Sequence, residues 1–341
     1  VTGVQTCALP IWKDLEFVVP LLREIRAKNP DVALIASPWT PPAWMKNPRS
    51  LNGGQLRQGD QFLEALARYF VRFVQAYAAE GLYVDQVTLQ NEPEHGDGGY
   101  PTMRMSADEQ RRLVADHLGP MFAAEGISTE IVVWDHNWDN TQYSISILDD
   151  PAAKQYVAGS DWHCYGGDKN APLTVRNAHP DRDLYFTECS GGEWDTDFGS
   201  GFGWNLQNLQ IGQTRIGARG VLLWNLALDE NHGPRVGVSS GCSDCRGVIT
   251  VPSAGGFTKN VEFYSIGHFS KFVLTGARKL DTNNMGDDLE NVAYENPDGS
   301  IVVVVLNTWW AGTKTFKVNI GGQHYMVEEL PGRSAVTLVT V

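Results

Sequence analysis

The chain has 341 residues, 42% hydrophobic and 20% charged, enough for one large α/β domain and a smaller second one. Its 27 Lys and Arg against 40 Asp and Glu give a formal charge of −13, which argues against nucleic acid or an anionic membrane as a general partner and suits a neutral substrate such as a sugar. No apolar run approaches the ~20 residues of a membrane span, and the 11 Trp and 11 Tyr are rings of the kind that stack on sugar faces, although packing accounts for most of them.

Val1–Trp12 has no usable period and no cap, so it reads as a foreign or artefactual N-terminus to be left out of fold reasoning. A helix over Lys13–Asn29 follows, with Leu15, Val18, Val19, Leu22 and Ile25 at helical spacing. Strands and helices then alternate. The strand-like runs are Val32–Ala36, Val84–Leu89, Glu130–Trp134, Gly159–Cys164, Leu184–Thr187 and Gly220–Asn225. Between them, Asp60–Ala79 carries Leu63, Leu66, Phe70, Phe73 and Tyr77 on one helical face. Ser106–Ala124 opens with Ser106 and Glu109 at capping-box spacing, and Asn205–Ala218 and Phe257–Leu274 read as later helices. Such alternation predicts a parallel sheet, and at this length a βα barrel over 13–276. From about Ala277 to Val341 the pattern changes to short strands: Asn291–Asn296, Ile301–Asn307, Thr313–Asn319, His324–Leu330 and Ala335–Val341. Turn sequences at Asn296-Pro297-Asp298-Gly299 and Gly321-Gly322 separate them, so an antiparallel β-sandwich is expected, with Trp309 and Trp310 as candidates for a minor sugar-binding role.

The candidate chemistry sits at strand ends. Asn91-Glu92-Pro93 follows Val84–Leu89, and Glu188 follows Leu184–Thr187. The carboxyl end of a barrel strand is the catalytic end, and glycosidic cleavage needs two carboxylates there. Either motif alone is weak, since a Glu before Pro is often only a turn cap. Their joint placement is stronger because the other strand ends are also polar or aromatic: Ser37-Pro38-Trp39, Asp135-His136-Asn137-Trp138, His163 with Tyr165, and Trp224-Asn225. Glu92 and Glu188 lie three strands apart, which predicts that they face each other across a small barrel mouth. Ionised Glu188 is then expected to raise the pKa of Glu92.

These residues resemble glycoside hydrolase family 30, the glucosylceramidase-like enzymes. The likeness rests on Ser37-Pro38-Trp39-Thr40-Pro41-Pro42, Asn91-Glu92-Pro93, Glu188 and Trp224-Asn225-Leu226-Ala227-Leu228, and extends to Gly267-His268-Phe269-Ser270-Lys271-Phe272 and Asp298-Gly299-Ser300-Ile301-Val302-Val303. It implies a (β/α)8 TIM barrel with a C-terminal β-sandwich. Glu92 would be the acid/base and Glu188 the nucleophile of a retaining double displacement. Asn91 would bond the sugar 2-hydroxyl, Tyr165 would sit near the nucleophile, and Trp39 and Trp224 would shape the sugar subsite. His163 is expected to orient a glutamate, and Trp138 completes the substrate-binding set. The resemblance implies eight strands, of which three to eight are visible, so an N-terminally truncated and poorly soluble barrel is expected. The reading is a glucosylceramidase-like β-glucosidase, with an endo-β-1,6-glucanase or a non-catalytic sugar-binding fragment as alternatives. The substrate would be a carbohydrate or glycolipid, with no nucleic acid partner, no cofactor and no metal, and the protein is expected to be secreted.

Cys242-Ser243-Asp244-Cys245 reads as a short-loop disulfide or a pair of plain thiols. A zinc site is disfavoured because no second ligand pair lies at recognisable spacing. His95, His117, His232 and His268 read as scattered structural histidines, and Asp135, Asp161, Asp195 and Asp229 as turn or cap acids that are also candidates for a subsite.

Overall fold

The computed structural model describes residues 11, 13–96, 99–235, 241–283 and 288–340. The reading of Val1–Trp12 as foreign sequence lies outside these residues except at Ile11, which is buried. The chain divides into two compact units. The first reaches Gly167 and adds Thr174–Leu184, and the second holds most of the remainder from Tyr185.

The first unit opens with a helix over Val18–Lys28 and the strand β1 (Ile35–Ala36). A small antiparallel pair follows, β2 (Lys46–Asn47) with β3 (Gln55–Leu56). The helix Asp60–Ala79 has the bounds its periodicity predicts and buries Leu63, Leu66, Phe70, Val74 and Tyr77. Then come β4 (Gln86–Thr88), β5 (Glu130–Trp138) and β6 (Val157–Gly167). β1, β4, β5 and β6 pair in that order, all parallel, with Ile35 opposite Gln86, Val87 opposite Ile131 and Val132 opposite Gly159. Gln86, Val87, Thr88 and Leu89 are all buried although Gln86 and Thr88 are polar, as befits a strand covered on both faces. β5 is irregular: the pairing shifts between Trp134 and His136, and both Trp134 (φ 75°) and Asp135 (φ 66°) are left-handed. Such a bulge re-aims side chains, here that of Asp135.

The predicted helix over Ser106–Ala124 forms with its capping box, Ser106 Oγ accepting from Glu109 N and Glu109 returning a bond to Ser106 N. Its middle turn, Leu113–Leu118, is π-helical. Two short helices between β5 and β6, Thr141–Leu148 and Pro151–Lys154, were not expected.

The strand β7 (Asp183–Glu188) starts in the first unit and ends in the second. Within the second unit, β8 (Gly191–Gly192) pairs antiparallel with β11 (Cys245–Arg246), and β9 spans Ala218–Val221. β10 (Ala227–Leu228), β12 (Ile249–Thr250) and β13 (Thr258–Lys259) form a three-stranded sheet. A helix over Val261–Ser270 leads into the antiparallel sheet β14 (Arg278–Leu280), β15 (Leu289–Glu295), β16 (Ile301–Asn307) and β19 (Ser334–Val339). β17 (Lys314–Ile320) and β18 (Gln323–Leu330) form a hairpin closed by Gly321 (φ 58°) and Gly322 (φ 90°), the positive-φ pair that such a tight turn demands. The core of this region packs Val292, Tyr294, Val302, Val304 and Leu306 against Phe202, Leu206 and Val261. β14 escapes the sequence pattern because Arg278 and Lys279 are exposed. Among the described residues no helix is long and apolar enough to cross a membrane.

Candidate active site

Six of the eight predicted site residues lie in the first unit: Trp39, Asn91, Glu92, Trp138, His163 and Tyr165. The chain turns sharply after β4. Asn91 N donates to Pro38 O (2.9 Å), Glu92 N donates to Asp135 O (2.9 Å), and Met105 N donates to Pro93 O (2.9 Å). The Asn-Glu-Pro corner is thereby tied to the ends of the neighbouring strands. Glu92 itself has φ 47°, a left-handed backbone that costs a non-glycine residue on the order of 1 kcal/mol or more and persists only where its surroundings impose it.

The Glu92 side chain is met by histidines. His163 Nδ1 lies 3.4 Å from Glu92 Oε1, and His136 Nε2 lies 3.9 Å from the same oxygen. The other ring nitrogen of His163, Nε2, is 2.9 Å from Asp135 Oδ1, while Asp135 Oδ2 accepts from Ser37 Oγ at 2.6 Å. Thr88 Oγ1 donates to Ser37 Oγ at 2.7 Å. Four strand ends therefore contribute to one relay of Thr88, Ser37, Asp135, His163 and Glu92. His163 is 1% exposed and lies against Glu92, so it offers little surface to a ligand. Tyr165 is exposed, with its backbone N donating to Asn137 Oδ1 (3.0 Å) and its ring edge-on to His163. Asn91 is buried beside Glu92, and Trp39 is half-buried with its carbonyl accepting from Gln90 Nε2 (2.7 Å). Trp138 is only 5% exposed, so in this structure it packs inside rather than offering a face.

The titration of Glu92 differs from expectation. Burial pushes its carboxyl up, but the hydrogen bond and charge of His163, with the charges of His136 and His95, outweigh this and leave it below the usual carboxylate value. The neighbouring His136 is itself driven down to about 4, chiefly by burial, so it carries charge only in the acid range in which Glu92 titrates. Asp135 is also held low: its burial is outweighed by the bonds from His163 and Ser37. Asp161, two residues before His163, behaves oppositely. It is fully buried, neither carboxyl oxygen has a hydrogen-bond partner among the described residues, and burial together with the charge of Asp135 raises its pKa well above normal. It is thus neither a turn acid nor a cap.

Glu188 and Trp224 belong to the second unit. Glu188 is buried at the end of β7, and Trp224 is partly exposed. Leu222 N donates to Phe186 O (2.8 Å) and Trp224 N to Cys189 O (3.0 Å), so the two segments run side by side. Asn225 is left-handed (φ 84°). The chain after Glu188 is clamped by Arg246, whose Nη1 donates to Gly192 O (3.0 Å) and Asp195 O (2.8 Å) and whose Nη2 meets buried Glu262 at 2.9 Å. A Cβ on Gly191 would collide with the Glu262 carboxylate and could be accommodated only by moving it off Arg246. Arg246 and Glu262 were not singled out in the sequence, where nothing marks a distant Arg and Glu as a pair. Cys242 and Cys245 are joined as a disulfide. His232 bonds Cys245 O, His268 bonds Thr337, and Asp229 caps a turn through Asn231 N and Gly233 N, all structural roles as expected.

Residues 5–273 match the glycosyl hydrolase family 30 TIM-barrel domain, and residues 276–338 match the glycosyl hydrolase family 30 beta sandwich domain. The chain belongs to glycosyl hydrolase family 30. Its fold is therefore that family's TIM barrel with a C-terminal β-sandwich, as the sequence predicts. An endo-1,6-β-D-glucanase of Neurospora crassa is 36% identical over 299 residues, covering 84% of this chain and 61% of the relative. The lysosomal acid glucosylceramidase of Mus musculus is 33% identical over 320 residues, covering 86% of this chain and 60% of the relative. The chain spans about 60% of the length of these curated relatives. Among solved structures, the endo-β1,6-glucanase BT3312 superposes with a TM-score of 0.88 at 33% identity, covering 95% of this chain and 74% of that one.

Proposed function

We propose that the full-length protein is a retaining endo-β-1,6-glucanase of family 30. The observation that carries this reading is the pairing of a strand-end Asn91-Glu92 with relatives of that named activity, in both the curated comparison and the solved one. The glucosylceramidase-like activity expected from sequence gives way here. Its named representative is the less similar of the two curated relatives, 33% against 36%.

In the proposed mechanism Glu188 attacks the anomeric carbon as a carboxylate, and Glu92 protonates the departing glycosidic oxygen. A glycosyl–enzyme ester forms, and Glu92, now a base, activates the water that releases the sugar. Glu92 lies below the ordinary carboxylate value in the free site. A bound sugar chain would exclude water and strengthen the effect of burial, which already acts to raise it. Asn91 is assigned to the sugar 2-hydroxyl, and Trp39, Tyr165 and Trp224 to the subsite walls, with the buried Trp138 the weakest member of that set. The Cys242–Cys245 disulfide supports an oxidising, exported setting.

Incubating purified full-length protein separately with β-1,6-glucan, glucosylceramide and xylan tests the reading. Release of mixed-length oligosaccharides from β-1,6-glucan alone is expected. Cleavage of glucosylceramide with β-1,6-glucan untouched would overturn it.

A further inference from the structure

Lys46 on β2 is 0% exposed, a rare state for a lysine. Its ammonium group uses all three donors: to Thr40 Oγ1 at 2.7 Å, to Leu51 O at 2.6 Å and to Thr102 O at 2.7 Å. No carboxylate pairs with it among the described residues. A buried cation held only by neutral oxygens costs free energy, and burial accordingly lowers its pKa to about 8. Loop closure alone would not require a charge here.

The three oxygens belong to three different stretches. Thr40 directly follows Trp39. Leu51 sits in the connection between β2 and β3. Thr102 lies in the segment that follows the Asn91-Glu92-Pro93 corner. Further bonds extend the lock: Thr102 N donates to Leu51 O (3.3 Å), Arg104 N to Gly54 O (2.9 Å), and Met105 N to Pro93 O (2.9 Å). Thr102 Oγ1 also accepts from Gly53 N at 3.1 Å. A continuous bonded path therefore runs from Trp39 through Lys46 and Thr102 to the residue after Glu92.

We propose that Lys46 is a positioning residue that sets the Trp39 ring relative to Glu92, so that a sugar stacked on the ring presents its glycosidic oxygen to the acid. This rests on the proposed reading of Glu92 and Trp39 as acid and subsite wall. Lys46 touches neither substrate nor reacting atoms; it acts through the loop it holds. Methionine in its place has similar length but no donors, and leaves the Leu51 and Thr102 carbonyls without their buried cation.

The test is Lys46→Met in the full-length protein, with Trp39→Ala and the double variant. KM for β-1,6-glucan should rise about 10-fold or more in Lys46→Met while kcat stays within about 3-fold, since a misplaced binding wall costs affinity and alignment before chemistry. The double variant should be no worse than Trp39→Ala alone, because Lys46 works through Trp39. Amide exchange should quicken in peptides covering 38–57 and 100–105 and stay unchanged in the helix Asp60–Ala79. An unchanged KM, additive losses in the double variant, or exchange that quickens throughout the chain would each overturn the proposal. Should Lys46→Met not fold, Thr40→Val removes one oxygen from the tripod and must raise KM in the same direction, and an unchanged KM there overturns it equally. A wild type inert on β-1,6-glucan would sink the functional reading alone. The exchange measurement would still stand, and unchanged exchange at 38–57 and 100–105 would sink the role of Lys46.

Discussion

Glu92 stands among ionisable side chains, with His163, His136 and, through His163, Asp135 reaching its carboxylate, whereas the chain after Glu188 is fixed by an ion pair placed away from the strand end. Around Glu92, orientation and protonation are set by the same groups. Around the Glu188 corner, Arg246 holds the Gly192 and Asp195 carbonyls and is itself neutralised by Glu262. The difference suits the two proposed roles. An acid/base must gain and lose a proton in each cycle, so neighbours that tune its pKa serve it. A nucleophile must stay ionised and in place, so a rigid corner serves it.

The sharpest way to break this comparison is to remove each carboxylate. Glu188→Gln should lower kcat by about 10⁴-fold or more, the scale on which loss of a nucleophile is felt. Glu92→Ala should slow turnover of an activated aryl glucoside in a way that added azide partly restores, by capturing the glycosyl–enzyme without a general base. Azide rescue of Glu188→Ala instead would reverse the two roles. A crystal structure of the full-length enzyme should place the two carboxyl groups roughly 5–5.5 Å apart, and a separation near 8–9 Å would indicate inversion.

A smaller effect separates orientation from protonation. His163→Ala removes the main group holding the Glu92 carboxyl down, while burial, which pushes it up, remains. Glu92 should therefore titrate at higher pH in the variant, as read by carboxyl ¹³C NMR. kcat/KM should fall on the order of 10²-fold, a typical share for general acid–base catalysis. A Glu92 titration that does not move would show that His163 only packs against it.

These contrasts mark what the sequence makes legible. The strand runs, the one-sided helix Asp60–Ala79 and the polar residues at strand ends are local patterns, and they suffice to put Glu92 and Glu188 at strand ends. The sandwich strand Ile301–Asn307 also has its predicted bounds, because its apolar run stops abruptly at turn residues. What the sequence hides depends on groups far apart in the chain. Asp135 meets His163 because of the left-handed bulge at Trp134 and Asp135, which no periodicity announces. Nothing in the local sequence marks Lys46 as buried, yet segments around Thr40 and Thr102 enclose it. The expected rise in the pKa of Glu92 considered only the other carboxylate and missed the histidines.

The last and smallest expected effect concerns Asp161. Among the described residues its oxygens accept no hydrogen bond, and burial with the charge of Asp135 opposes its ionisation more strongly than the charge of His163 favours it. The folded chain therefore keeps Asp161 protonated at pH values where the unfolded chain, with an ordinary carboxylate, has already released the proton. Folded protein binds more protons than unfolded across that window, so stability must fall as pH rises from the ordinary carboxylate range toward the raised folded value. Asp161→Asn keeps the shape and removes the titration. Thermal unfolding followed from about pH 4 to pH 8 should show a shallower decline of Tm for the variant than for the wild type, and a higher Tm for the variant at the neutral end. Parallel declines would mean that a cation compensates Asp161 in the full-length protein, and the buried carboxyl would then belong to an ion pair rather than stand as a neutral acid beneath His163.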